Sequence, residues 1–126
     1  MSLAADAATL LVIDDEAQIR RFLGIGLRAQ GYRVLEAGNG RDALAVIAGA
    51  AGGVDLVLLD LGLPDLDGRD VLRELRSFSA VPVIVLSARS GEQEKVTLLD
   101  AGANDYVTKP FNGAELLLKV KQLIGA

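Results

Sequence analysis

The sequence predicts one α/β domain, a doubly wound parallel sheet with helices on both faces, and three features of the chain predict it. Five strand-like segments recur along its 126 residues, three of them runs rich in Val, Leu and Ile and two of them shorter. Between them lie amphipathic stretches whose apolar residues return every three or four positions, as on one side of a helix. The joints are short and carry Gly, Asp, Asn or Pro, with no linker, internal repeat or low-complexity tract. The runs are continuous rather than alternating, as in Val57-Leu58-Leu59, which is how strands covered on both sides read. A chain of this length buries a sufficient core without staples.

Taken in order, residues 1–8 are expected to be a disordered tail or cloning remnant, with the domain over 9–126. Thr9–Ile13 is the first strand and ends in Asp14-Asp15. A helix follows over 17–30, with Ile19, Phe22, Leu23 and Leu27 facing inward and Gly31 as its C-terminal cap. Residues 32–37 read as a short strand and Gly38-Asn39-Gly40 as a turn. The second helix spans 41–50 on Ala43, Leu44 and Ile47, and Ala51-Gly52-Gly53 breaks it. The third strand, over 54–60, closes on a carboxylate, Asp60. Asp67 or Gly68 opens a third helix reaching about residue 78, with Val71, Leu72 and Leu75 inward. Residues 81–86 form a fourth strand ending at Ser87, and Pro82 is tolerated near its start. The fourth helix runs over 92–101 and Gly102 stops it. Asp105–Thr108 is a short fifth strand before Lys109-Pro110. Asn112 caps a last helix with Leu116, Leu117, Val120 and Leu123 as its apolar positions.

Composition removes several function classes. The chain has no cysteine and no histidine, so thiolate chemistry, imidazole bases and zinc sites built on them are absent. A metal would have to be a hard cation on oxygen ligands. A net charge of −4 and 4% aromatics argue against a nucleic-acid grip or a base-stacking platform. No apolar run approaches the roughly 20 residues of a membrane helix, and the expected compartment is the cytoplasm.

The polar residues at the strand ends carry the chemistry. Asp14, Asp15, Asp60, Ser87 and Lys109 all stand at the ends of predicted strands, which a parallel sheet would gather on one edge, where such sheets bind ligands. Each alone has an ordinary reading: acids favour helix starts, serine ends strands, and lysine precedes many turns. Three carboxylates together repel unless a cation joins them, and magnesium fits. An ionised carboxylate beside such a cation, a lysine and a hydroxyl is a nucleophile suited to a phosphoryl group, with no base required. Asp65, Asp67 and Asp70 mimic metal spacing but read as loop and helix-start acids.

Four stretches are similar to bacterial response-regulator receiver domains: Leu11-Val12-Ile13-Asp14-Asp15-Glu16, Leu58-Leu59-Asp60-Leu61-Gly62-Leu63-Pro64, Val83-Ile84-Val85-Leu86-Ser87-Ala88, and residues 101–111 from Ala101-Gly102-Ala103 to Lys109-Pro110-Phe111. The resemblance covers residues 10–124 with its motifs in order. It implies a flavodoxin-like fold of the chemotaxis-receiver type, five parallel strands in the order 2-1-3-4-5 with five helices. It further implies phosphorylation by a partner histidine kinase, with Asp60 as phosphoacceptor. Asp14, Asp15 (the more direct ligand), Asp60 and the backbone carbonyl of Gly62 would hold magnesium or manganese. Ser87 would be the switch hydroxyl, Tyr106 the switch aromatic and Lys109 the phosphate-binding lysine, with the Lys109-Pro110 bond cis. Similarity is strongest to the winged-helix transcription regulators, and Val85-Leu86-Ser87-Ala88-Arg89-Ser90 is similar to potassium-transport regulators among them. An effector domain outside this chain would then supply DNA contact, and no membrane contact is implied.

In that subgroup the fourth helix, fifth strand and fifth helix form a face that dimerises on phosphorylation. Lys95, Asp100, Asp105, Glu115 and Lys119 mix signs over that region, as either a charge-paired interface or a solvated surface would. Two departures stand out. Gly62 has no side chain where the family often carries a larger one, which would open the site to water. Asn104 stands where relatives often have an acid, removing one interface partner. Rival readings are a phosphatase or phosphotransferase with an aspartate nucleophile, a flavin-binding module and a scaffold. The first would need an acid two residues after Asp60, where Gly62 stands; the second would set a flavin phosphate against Asp14-Asp15-Glu16.

Overall fold

The computed structural model describes residues 7–50, 53–88 and 91–125. The tail over 1–6, the break at Ala51-Gly52 and the similarity at Arg89-Ser90 lie outside the described residues. Strands and helices alternate as β1 (Thr9–Ile13), α1 (Ala17–Ala29), β2 (Arg33–Ala37), α2 (Gly40–Gly49), β3 (Leu56–Asp60), α3 (Gly68–Arg76), β4 (Val83–Ser87), α4 (Glu92–Asp100), β5 (Asp105–Thr108) and α5 (Gly113–Ile124). The five strands are all parallel, in the order β2-β1-β3-β4-β5. That is the expected doubly wound, chemotaxis-receiver type of fold.

The period of two along each strand splits the core between the faces of the sheet. Leu11, Ile13, Val57, Leu59, Val83 and Val85 pack with Ala43 of α2, Val71, Leu72 and Leu75 of α3 and Leu98 of α4. Leu10, Val12, Leu56, Leu58, Ile84 and Leu86 pack with Leu23 and Leu27 of α1 and Leu116 and Val120 of α5. Every residue of β3 and β4 is buried, which is why their sequences run apolar without alternation. At roughly 1.5–3 kcal/mol per fully buried Leu, Ile or Val, these central strands dominate the folding drive. Ala8, at the edge of the expected tail, accepts the Arg33 N–H at 2.9 Å.

Loop carboxylates and amides start the helices. Asn39 accepts the Asp42 N–H, Asp67 the Arg69 N–H, and Asn112 the Ala114 and Glu115 N–H groups. Asp65 reaches across to accept the Gly40 and Arg41 N–H groups at 2.8 and 3.0 Å, tying the loop after β3 to the first turn of α2. Those bonds, the Gly40 N–H first, hold its carboxyl below the usual range. Asp70 pairs with Arg73 at 2.8 Å. The helix-start reading of these acids holds. Gly31 has φ +92°, the left-handed cap that only glycine adopts without strain.

Four expectations are corrected, the first being that β3 begins at Leu56 rather than 54. Phe22 does not face inward: it is 62% exposed. The inward stripe of α1 is Ile19, Leu23 and Leu27, spaced by four, and Phe22 lies at its rim beside an apolar groove between α1 and α5. α3 stops at Arg76 rather than 78, where the Ser77 hydroxyl donates to the Glu74 carbonyl at 2.6 Å. β4 begins at Val83, because Pro82 lacks an N–H; its carbonyl still accepts from Val57 at 2.9 Å. No helix among the described residues is long and apolar enough to cross a membrane.

Candidate functional site

Parallel register brings the strand ends together. Ile13 lies beside Leu59, Asp60 beside Leu86 and Ser87 beside Thr108, so the residues that follow them share one edge. Asp14 is fully buried; its Oδ1 accepts the Glu16 N–H at 2.9 Å and its carbonyl accepts Arg20 at 2.6 Å. Lys109 Nζ donates to Asp14 Oδ2 at 3.1 Å and to Asp60 Oδ1 at 3.0 Å. Asp15 stands exposed beside this pair. One carboxylate oxygen from each of Asp14, Asp15 and Asp60 lies within 4.8 Å of the others. The Lys109 N–H donates to the Ser87 carbonyl at 2.7 Å, fixing the backbone from which the ammonium reaches in. The Lys109-Pro110 bond is cis, and Ser87 is buried at the end of β4.

Burial pushes the Asp14 carboxyl up, and the Asp60 charge adds to that, against the Glu16 N–H and Lys109. Burial opposes the Lys109 charge, but its bonds to Asp60 and Asp14 outweigh burial and raise it above 10.5. That lysine contribution to stability is full below 10.5 and lost as pH rises through the higher folded value. Asp14 works the other way: the folded form holds the proton more tightly, so metal-free stability falls as pH rises from 3.8 through the raised value. The donors are all oxygens, so the cluster suits a hard divalent cation.

An Asp14→Asn variant is therefore expected to gain about 1 kcal/mol at neutral pH without metal, roughly 3–5 °C in melting temperature. It should also lose most of the stabilisation that millimolar magnesium gives the parent. A melting curve with and without magnesium checks both. An equal magnesium response in both proteins would remove Asp14 from the cation site.

Gly62 follows Asp60 by two, and a Cβ there would meet only Asp60 Oδ2, at 3.8 Å. The Asp60 carboxylate is accordingly open on that side. The surrounding cleft, about 480 Å³, is lined by Asp15, Asp60, Gly62, Ser87 and Lys109 together with Arg69 and Glu94. The last two were not legible as site residues. They stand 25 positions apart on α3 and α4, and nothing in either helix pattern points one at the other. Tyr106 is half-buried and packs against the core on the α2–α4 side.

On the fourth helix, fifth strand and fifth helix, the charges are divided. Lys119 Nζ bonds Asp105 Oδ1 at 3.0 Å within the chain, while Lys95, Asp100 and Glu115 are exposed. Val96 and Leu99 of α4 are also exposed beside them. Asn104 has an internal role: its Oδ1 accepts Arg76 and the Val83 N–H, both at 2.9 Å, fixing the start of β4.

Residues 10–121 match the response regulator receiver domain family. The chain is 52% identical over 115 residues to the transcriptional regulatory protein KdpE of Mycobacterium tuberculosis, covering 91% of this chain and 50% of that protein. It is 50% identical over 112 residues to the KDP operon transcriptional regulatory protein KdpE of Escherichia coli, covering 89% and 49%. The chain thus spans about half the length of the curated relatives it matches. Among solved structures, the Francisella response regulator 1452 receiver domain superposes with TM-score 0.89 at 34% identity, covering 94% of this chain and 97% of that one. The beryllofluoride-activated DrrB receiver domain superposes with TM-score 0.83 at 32% identity, covering 95% and 99%.

Proposed function

The chain belongs to the response regulator receiver domain family, and on that premise we propose that it accepts a phosphoryl group on Asp60 from a sensor histidine kinase and passes the resulting change of shape to a transcriptional output. The observation that carries this reading is Lys109 Nζ, held 3.0 Å from Asp60 Oδ1 and 3.1 Å from Asp14 Oδ2 at the open end of the sheet.

Asp60 is the nucleophile. Its oxygen forms the new bond to phosphorus while the bond to the donor's leaving atom breaks, and the leaving group keeps that electron pair. Lys109 neutralises a phosphoryl oxygen, and burial of Asp14 and Asp60 strengthens that attraction. A magnesium or manganese ion held by Asp14, Asp15, Asp60 and the Gly62 carbonyl would offset the remaining phosphoryl charge. Ser87 turns its hydroxyl to the phosphoryl group, and Tyr106 moves into the space this vacates, biasing a two-state equilibrium. The reaction is stoichiometric, unlike that of a phosphatase, for which Gly62 offers no general acid.

Intact-mass measurement after adding acetyl phosphate and magnesium tests the reading. One phosphoryl adduct that requires the metal is expected; no adduct with this donor or with a cognate kinase overturns it. A Gly62→Met variant, roofing the open side of Asp60, is expected to keep the adduct and lengthen its half-life several-fold. An unchanged half-life would show that water enters elsewhere.

The partners follow from the same reading: a kinase in the cytoplasm, DNA only through an effector domain outside this chain, and a second copy once phosphorylated. The dimer uses α4, β5 and α5, with Lys95, Asp100, Asp105, Glu115 and Lys119 as its charged rim around Val96 and Leu99. Light scattering at high micromolar concentration is expected to give a dimer mass with phosphate and a monomer mass without. A phosphorylated monomer rejects that face.

A further inference from the structure

One ion pair at the mouth of the acidic cleft is not used by the reading above. Arg69, in the first turn of α3, donates from NH2 to Glu94 Oε1 at 2.6 Å, in the first turn of α4. It is far from a loose surface pair. The Glu94 side chain is 14% exposed and that of Arg69 30%. Both residues line the cleft that holds Asp60, Ser87 and Lys109. Asp67, whose carboxylate caps α3, lies 3.8 Å from NH1 and offers Arg69 a weaker second contact.

α4 depends on this pair more than another helix would. Its N-cap is Gly91, with no side-chain cap, and its only fully buried residue among those described is Leu98. The bond to Arg69 is therefore a main tether of its first turn. A phosphoryl group on Asp60 would bring nearly two negative charges into the cleft that Arg69 lines, with oxygens that match a guanidinium fork better than one carboxylate oxygen does. Glu94 and the phosphoryl group then compete for one cation.

Resting on the assignment of Asp60 as phosphoacceptor, we propose that Arg69 is a second phosphate-binding cation beside Lys109, held by Glu94 in the resting protein and transferred to the phosphoryl group when Asp60 is loaded, which frees the first turn of α4. Loading the site and loosening α4 become one exchange of partners.

The exchange predicts opposite kinetic signs for its two members. Arg69→Gln is expected to slow phosphorylation by acetyl phosphate roughly fivefold, through loss of one charge-assisted contact. Glu94→Gln is expected to speed it, because Arg69 is no longer held back. A merely structural pair would move both variants in the same direction, since each loses the same bond. The double variant decides whether Glu94 acts through Arg69: it should match Arg69→Gln alone. A double variant faster than Arg69→Gln means that Glu94 acts through its own charge, and the exchange is wrong.

Hydrogen exchange supplies a readout independent of rate. Amides 92–96 should exchange faster in both single variants at rest, and in the parent only after phosphorylation. Phosphorylated parent with unchanged exchange there overturns the release of α4. An adduct on Arg69→Gln formed at the parental rate removes Arg69 while leaving Asp60 in place. Absence of any adduct on the parent removes both.

Discussion

Asp60→Asn is expected to abolish the phosphoryl adduct completely while leaving the fold intact. The amide is nearly isosteric and its oxygen can still accept from Lys109, now 3.0 Å from Asp60 Oδ1, but it has no charged nucleophile. Neither neighbouring acid can take over. Asp14 is fully buried and committed to Lys109 and the Glu16 N–H. Asp15 is exposed and lacks the lysine that would offset an incoming phosphoryl oxygen. The measurement is intact mass with acetyl phosphate and magnesium, followed by locating any residual adduct. A parental level of label on the variant, at Asp15 or elsewhere, would show that the acceptor was misassigned. The variant should also bind magnesium more weakly, having lost one of three anionic donors.

The site was legible in the sequence to the extent that topology fixes it. In a parallel sheet, whatever follows each apolar run must emerge on one edge, so Asp14, Asp60, Ser87 and Lys109 could be placed together before any side chain was positioned. Helix caps were equally local: Asn112 and Asp67 act on N–H groups two or three residues away. Contacts between elements were not legible. The Arg69–Glu94 pair, the Asp65 bridge to Gly40 and the Asn104 contact with Arg76 each join residues 25 to 28 apart on different elements. Their side chains are polar, and polarity alone reads as solvent exposure. Phe22 fails for the opposite reason. An aromatic one position before Leu23 looks inward by periodicity, yet the sheet accepts only a narrow stripe of α1.

Gly68 is where fold and site meet, and Gly68→Ala is expected to have the largest effect on stability of any single methyl added to a helix here. Helix propensity points the wrong way, since alanine is favoured over glycine by roughly 0.5–1 kcal/mol. An added Cβ would stand 2.6 Å from Leu61 Cα, 2.8 Å from Leu61 Cδ2 and 3.0 Å from the Asp60 carbonyl oxygen. The first and last of those are backbone and have no rotamer by which to yield. The Gly68 N–H also donates to the Leu61 carbonyl at 3.2 Å, so the start of α3 lies directly on the chain that leaves β3. Relief requires moving either the helix or that chain, at a cost of about 3 kcal/mol or more. Moving the chain displaces Asp60 from Lys109, and the phosphorylation rate should fall with stability, about tenfold or more. Gly26→Ala in α1, where nothing lies within 4 Å of the new Cβ, is the control and should stabilise by roughly 0.5–1 kcal/mol. Urea unfolding of both variants beside the parent separates the cases. If Gly68→Ala were as stable as Gly26→Ala and reacted at the parental rate, the close contact behind Asp60 would not be what positions that carboxylate.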